Sequence, residues 1–352
     1  MSSDEDKLKA SSGGRTTALR RVLAIVDTFG PLLALAVVVI GFALADQKWG
    51  QGKFIELRNI RVILVMTTPV AVAALGMTLV IITGGIDLSA GTASMLCATV
   101  LACIVNAGGS IWLAVGLALL TGSMCGVTNG LLIGLLRIPP FIVTLGTMTV
   151  FLGIGKQLAE RFAGGTNVLV DRKLIPSWLL NLTSTYPPDW LGWFPNVAMG
   201  VWLALILSVI VAILLRLTVF GRHVFAIGSS ESTARLCGVN ILGTKLMVYA
   251  VAGLLVAMSG IYSFSLVKLA NPSDGIGKEL KFIAAVVIGG ASLSGGRGAV
   301  LGTLAGATII GVINNGGDLL GIKNSTQDIM IGVIIIAAVT LDQLRQRWQG
   351  TS

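Results

Sequence analysis

The chain has 352 residues, 54% hydrophobic and only 12% charged, with 25 Lys and Arg against 16 Asp and Glu for a net charge of +9. Mean hydropathy is +0.89, and a water-soluble domain carries about 25% charged residues, so the composition excludes an ordinary soluble enzyme or binding domain. The basic residues are spread through segments between apolar runs and form no stripe with interleaved aromatics, which argues against a nucleic-acid partner and fits contact with anionic lipid headgroups.

Residues 1–28 are polar, acidic first (Asp4, Glu5, Asp6) and then basic (Arg15, Arg20, Arg21). They predict an N-terminal cytoplasmic tail. A cleaved signal peptide is not expected, because the apolar run that follows is of span length and has no small-residue cleavage site. A helix needs roughly 20 apolar residues to cross the hydrocarbon. Spans are expected near Phe29–Ala45, Ile60–Ile82, Ala90–Val105, Ile111–Leu136, Phe141–Ala159, Val197–Leu215, Leu246–Phe264, Leu280–Ser294, Ala299–Leu320 and Gln327–Leu344. The fold class is therefore all-α, a polytopic membrane protein with about ten transmembrane helices over 29–344 and a C-terminal tail over 345–352. Lys and Arg together divide almost evenly between the two sides. Arginine alone favours placing both termini in the cytoplasm of a cell with this protein in its inner (plasma) membrane: Arg137, Arg216, Arg222, Arg235, Arg297, Arg345 and Arg347 join Arg15, Arg20 and Arg21 inside, against Arg58, Arg61, Arg161 and Arg172 outside.

The second apolar run contains Pro69, which predicts a kink, and ends in Gly84-Gly85-Ile86-Asp87-Leu88-Ser89. A carboxylate at the end of a span must meet water, protein donors or a helix terminus, because bare hydrocarbon charges several kcal/mol for it. Asp87 is thus either a cap for the helix that follows or part of a conduction route. Gly122, Gly126, Gly130 and Gly134 recur every four residues on one face, a ladder for close helix packing that carries no chemistry, and Gly302 and Gly306 repeat the device. Asn129 lies between two ladder glycines, and Asn314 and Asn315 lie in a later span. Each reads as interhelical glue or as lining of a polar solute route.

Pro139-Pro140 predicts a tight turn between antiparallel spans, with the second proline in the first turn of the next helix. Residues 161–196, with Trp178, Trp190, Trp193 and Pro187-Pro188, read as an external loop carrying interfacial aromatics. Residues 218–245 read as a cytoplasmic loop holding a short helix from near Glu231, capped by Ser229 or Ser230 and ended by Gly238. Ala234, Leu236 and Cys237 would be available on it for an apolar contact. Gly289-Gly290-Ala291-Ser292-Leu293-Ser294-Gly295-Gly296 echoes residues 84–91 as Gly-Gly-x-x-Leu-Ser-x-Gly, at helix ends on the same side; Asp87, Ser292 and Ser294 are candidate caps of the helices that follow.

Cys97, Cys103, Cys125 and Cys237 form no Cys-x-x-Cys pair and His223 is the only histidine, so no metal site, His-based triad or cofactor is expected. Neither a dinucleotide loop nor a Gly-x4-Gly-Lys-Ser/Thr sequence occurs, so any ATP that drives transport must be bound by another chain.

Three segments carry a specific resemblance: Ala74 to Ser89, Phe220 to Val239 and Ile283 to Gly298. In order and content the chain resembles the permeases of ribose-type sugar ABC importers, the family with xylose, arabinose, galactose and autoinducer-2 permeases. The resemblance implies an ABC importer permease fold, no enzymatic activity of its own, a second permease copy forming a homo- or heterodimer, an ATP-binding cassette subunit and an external sugar-binding protein. It places the cassette-coupling residues at Glu231, Ala234, Arg235, Leu236 and Gly238, and a glycine-aspartate motif on the pathway or helix break at Gly84, Gly85, Asp87 and Ser89, to which Asn129 and Asn314 are added from their buried amides. Where the family often has Asn-Glu-Ala-Ala before Arg-Leu, this chain has Ser230-Glu-Ser-Thr-Ala-Arg. A branched-chain amino acid ABC permease shares the architecture. An ion-coupled transporter would need buried ionisable groups, and Asp87 and Lys156 are the few candidates.

Overall fold

The computed structural model describes residues 29–185 and 197–350. Both the N-terminal tail and Pro187, Pro188, Trp190 and Trp193 lie outside them. The chain enters through α1 (Phe29–Trp49), whose Leu33, Val37, Ile40 and Leu44 stand exposed as an apolar outer face. It then drops into α2 (Leu57–Ile82), which is buried almost continuously from Thr67 to Ile82. A helix apolar on all sides belongs in the centre of a membrane bundle, and α2 packs against α7, α10, α11 and α12.

Around it run α3 (Ala90–Asn106), α4 (Ile111–Leu136), α5 (Pro140–Ala163), the five-residue α6 (Ser177–Asn181), α7 (Met199–Leu217), α8 (Val219–Ser229) and α9 (Glu231–Leu236). The chain closes with α10 (Ile241–Val267), α11 (Lys278–Ile288), α12 (Val300–Leu319) and α13 (Asn324–Gly350). Two-residue strands, β1 (Val168–Leu169) and β2 (Leu269–Ala270), pair antiparallel and fasten the segment after α5 to the end of α10. Trp178 of α6 stacks on Trp112 of α4 with ring centroids 4.9 Å apart.

Every apolar run read from the sequence contains a helix, and among the described residues seven helices are long and apolar enough to cross a membrane: α1, α2, α4, α5, α7, α10 and α12. The run Leu280–Ser294 is a correction. Its helix, α11, has 11 residues, about 16 Å at 1.5 Å per residue and so roughly half the hydrocarbon thickness. It stops because Gly290 turns left-handed at φ +86°, letting the Gly290 and Ala291 N–H groups bond back to Val287 and Val286.

The glycine ladder does what its spacing predicts. A β-carbon on Gly122 would lie 2.5 Å from the Ala257 β-carbon, one on Gly130 3.0 Å from the Leu246 α-carbon, and one on Gly126 would strike the Tyr249 carbonyl oxygen. As α4 ascends, its partners on α10 descend, so the two helices are antiparallel and meet backbone to backbone. Gly302 and Gly306 of α12 seat the Gly289 and Ala285 carbonyls of α11 in the same way. Pro140 opens α5 as expected, after Arg137 turns left-handed at φ +54°.

Candidate functional site

The helix break after α2 begins with a left-handed glycine. Gly84, at φ +77°, lets its own N–H and that of Gly85 bond back to Ile81 and Val80, so the helix ends cleanly inside the bundle. The chain then runs without regular structure to Asp87, which is 6% exposed.

Its carboxylate is received by protein donors. Oδ1 accepts from the Ser89 N–H at 2.9 Å and from the Ser89 hydroxyl at 2.6 Å. The Asn129 amide of α4 donates to Ser89 Oγ at 2.8 Å, and Thr147 of α5 donates to Asn129 Oδ1 at 2.7 Å. Thr144 of α5 donates to the Ile86 carbonyl at 3.1 Å. Asp87, Ser89 and Asn129 therefore form one network spanning the break, α4 and α5. Asp87 caps the turn that leads into α3, while Ser89, the residue before that helix, makes no capping bond. The expectation that Ser292 or Ser294 caps α12 is overturned: Ala299 precedes that helix with no side-chain cap, and the two serine hydroxyls bond one another at 2.8 Å.

Asn314 is not part of this group. It lies half-buried on α12, while its neighbour Asn315 forms a reciprocal amide pair with Asn59 of α2, both bonds 2.9 Å. Asn59 is 23 residues before Ile82 on α2, about 35 Å away along the helix. With the Thr78–Thr303 hydroxyl bond of 2.7 Å, this pair serves as interhelical glue between α2 and α12.

The short helix expected within residues 218–245 is present. Ser230 caps α9 by accepting from the Thr233 N–H, and Gly238 ends it at φ +81°. Glu231 pairs with Arg235 at 3.0 Å and Lys245 at 2.7 Å. The Lys245 hydrogen bond and the nearby charges hold its carboxyl below the usual carboxylate range against a partial burial cost. One detail differs. Ala234 is buried against Ile227 and Ile241, so it anchors α9 from within, while Leu236, 88% exposed, and the exposed Cys237 are the apolar groups on offer. Beside α9 lies a cleft of about 610 Å³ lined by Arg137, Pro140, Glu231, Arg235 and Lys245.

What the sequence did not reveal is the joint between these two regions. A β-carbon on Gly228, at the end of α8, would strike the Ile82 carbonyl oxygen and approach the Gly296 nitrogen to 2.6 Å. Gly296 donates to that same Ile82 carbonyl at 2.9 Å. A β-carbon on Gly295 would come within 2.8 Å of the Gly228 oxygen and 3.0 Å of the Gly84 nitrogen. The end of α2, the end of α8 and the segment after α11 thus meet at bare backbone, two residues before the α9 cap. Glycines were visible in all three segments, but nothing in their spacing points from one to another.

Two more groups escaped the sequence reading. Glu279, only 6% exposed, accepts from the Gly277 N–H at 3.1 Å and lies against Gly91. It places a second carboxylate beside the first turn of α3, where a helix dipole favours negative charge. Tyr249 of α10 lays its hydroxyl over Gly85.

Fold and site together define an all-α, multi-pass membrane protein whose central helix breaks inside the bundle and meets the end of the helix before α9, a short and largely exposed helix. Residues 59–339 match the family described as branched-chain amino acid transport system / permease component, and the chain belongs to that family. The ribose import permease protein RbsC of Bacillus subtilis (strain 168) is 37% identical to it over 319 residues, 91% of this chain and 94% of that one. RbsC of Escherichia coli (strain K12) is 37% identical over 83% of this chain and 88% of its own. The L-arabinose transport system permease protein AraH of Escherichia coli (strain K12) is 31% identical over 93% and 94%. The family resemblance read from the three motifs is borne out. No solved structure matches the chain.

Proposed function

We propose that this chain is the transmembrane subunit of an ABC importer that carries a monosaccharide or a related small polyol inward by alternating access, driven by ATP hydrolysis in a separate cassette subunit that docks on α9. The observation that carries the reading is the backbone joint of Gly228, Ile82 and Gly295-Gly296. A cassette that moves α9 moves the end of α8, and a joint with no side chains between its strands passes that displacement to the turn holding Asp87. Leu236 and the Glu231–Arg235–Lys245 cluster give the cassette one apolar contact and a charged rim, the composition of a docking patch.

Sugar as cargo rests on the names of the relatives, which import ribose and arabinose. In this reading both termini face the cytoplasm, an external binding protein supplies the sugar, and two permease copies enclose the path. The Asp87–Ser89–Asn129–Thr147 network offers hydroxyls and amides of the kind a sugar meets, and a permease should hold its solute weakly enough to release it.

The test is uptake into proteoliposomes containing the permease, its cassette subunit and its binding protein, with labelled ribose, arabinose and leucine. ATP-dependent entry of a sugar is expected. Entry of leucine alone would favour a branched-chain amino acid permease. Accumulation without cassette or ATP, driven by an ion gradient, would favour a secondary transporter.

A further inference from the structure

Tyr249 is 1% exposed, and among the described residues its hydroxyl has no hydrogen-bond partner. Buried polar groups are nearly always paired, and phenylalanine would fill this space with no such penalty. In this conformation the oxygen is a cost without a return.

The surroundings hold the ring where it is. A β-carbon on Gly126 would strike the Tyr249 carbonyl, and one on Gly130 would sit 3.3 Å from the Tyr249 β-carbon, so α4 packs directly on the residue's backbone. At its other end the hydroxyl overhangs Gly85, where an added β-carbon would approach it to 2.6 Å. Gly85 begins the irregular stretch of the helix break, and Asp87 follows two residues later on the same stretch. A donor on a buried ring is aimed at the helix break, whose carboxylate is bonded by Ser89 and the network behind it.

We propose that Tyr249 is a positioning residue for transport: its hydroxyl is idle in this conformation and donates to the Asp87 carboxylate in the opposite-facing one. The break then has two sets of donors, Ser89 in one state and Tyr249 in the other, so neither state strands the carboxylate. The inference deepens the alternating-access reading above and rests on it.

The experiment compares wild type, Tyr249→Phe, Asp87→Asn and the double variant in the complete reconstituted transporter, by labelled-sugar uptake and by melting temperature of the purified permease. Phenylalanine removes a hydroxyl that is unpaired here, so Y249F should melt at or above the wild-type temperature. It should nonetheless import about tenfold more slowly, the worth of a lost hydrogen bond to a charged group. The neutral amide that D87N leaves is a weaker acceptor, so in that background the same change should cost clearly less than in wild type. Uptake by Y249F equal to wild type would overturn the proposal, as would a lowered melting temperature or losses that multiply fully in the double variant. Absence of ATP-dependent uptake in wild type itself would instead strike the importer reading, and the melting comparison would still report whether the hydroxyl is idle.

Discussion

The two Gly-Gly-x-x-Leu-Ser-x-Gly segments read alike, with Gly84 matching Gly289, yet the molecule uses them one residue out of step. The left-handed residue that ends α2 is Gly84, at the first position of its motif; the one that ends α11 is Gly290, at the second. The returning hydrogen bonds follow the same offset, Gly84 and Gly85 in one case and Gly290 and Ala291 in the other. Downstream the segments part company. The first buries a carboxylate in a side-chain network, whereas the second carries two serines whose hydroxyls bond one another and lays Gly295 and Gly296 against Gly84 and Ile82. The shared glycines supply the backbone freedom to stop a helix, and the residue at the fourth position decides what chemistry is placed there.

The sharpest way to break this comparison is to exchange chemistry at that fourth position. Asp87→Asn keeps the shape but removes the charge that strengthens the Ser89 bonds, and should cost about 1–2 kcal/mol and most of the sugar uptake. Ser292→Ala should cost at most about 1 kcal/mol and leave uptake near wild type. Thermal unfolding in detergent and proteoliposome uptake read both, and equal effects at the two sites would mean that the segments are functional duplicates after all.

The offset itself is tested by alanine at the two left-handed positions. Gly84→Ala and Gly290→Ala should each destabilise by about 1–2 kcal/mol, because a β-carbon disfavours left-handed backbone even where there is room for it. An unchanged melting temperature for Gly290→Ala would contradict the assignment of Gly290 as the residue that turns the chain; Gly289→Ala is no control for it, because its β-carbon would press to 2.4 Å on the Gly302 backbone.

The smallest expected effects belong to α9, the element both segments lead to. Truncating Glu231 and Arg235 together should lower cassette co-purification and uptake while membrane insertion stays normal, and unchanged co-purification would refute a docking role. Glu231 also sets a pH dependence. Its carboxyl sits below its ordinary value of 4.5, so the stability it lends is present above that pH and is lost as pH falls through the lowered value. The side chain is 41% exposed and water screens the pair, so the contribution is at most about 0.5 kcal/mol. A melting difference between wild type and Glu231→Gln at neutral pH should close below about pH 4.5.

Hydrophobic run length and small-residue spacing made most of the fold legible. The glycine ladder of α4 and the Ser230 and Gly238 ends of α9 were visible because local chemistry alone determines them. The length of α11 was hidden because Ala291 and Leu293 extend its apolar run past the glycine that ends the helix. Asp87 and Asn129 could be singled out as buried polar groups, but their joining through Ser89 and Thr147 depends on packing three segments together. The junction at Gly228 and the idle hydroxyl of Tyr249 were illegible for the same reason: each is defined by what lies across an interface, and a glycine or a tyrosine in an apolar run carries no mark of its partner.

The central claim is that α9 acts on the helix break through bare backbone at Gly228. Sugar uptake and ATP hydrolysis measured together in proteoliposomes, for wild type and for Gly228→Ala with α9 left intact, test it most directly. In the transporter that inserts and assembles with its cassette, the added methyl should leave ATP hydrolysis running and abolish coupled uptake. Wild-type sugar uptake per ATP in that variant would contradict the account.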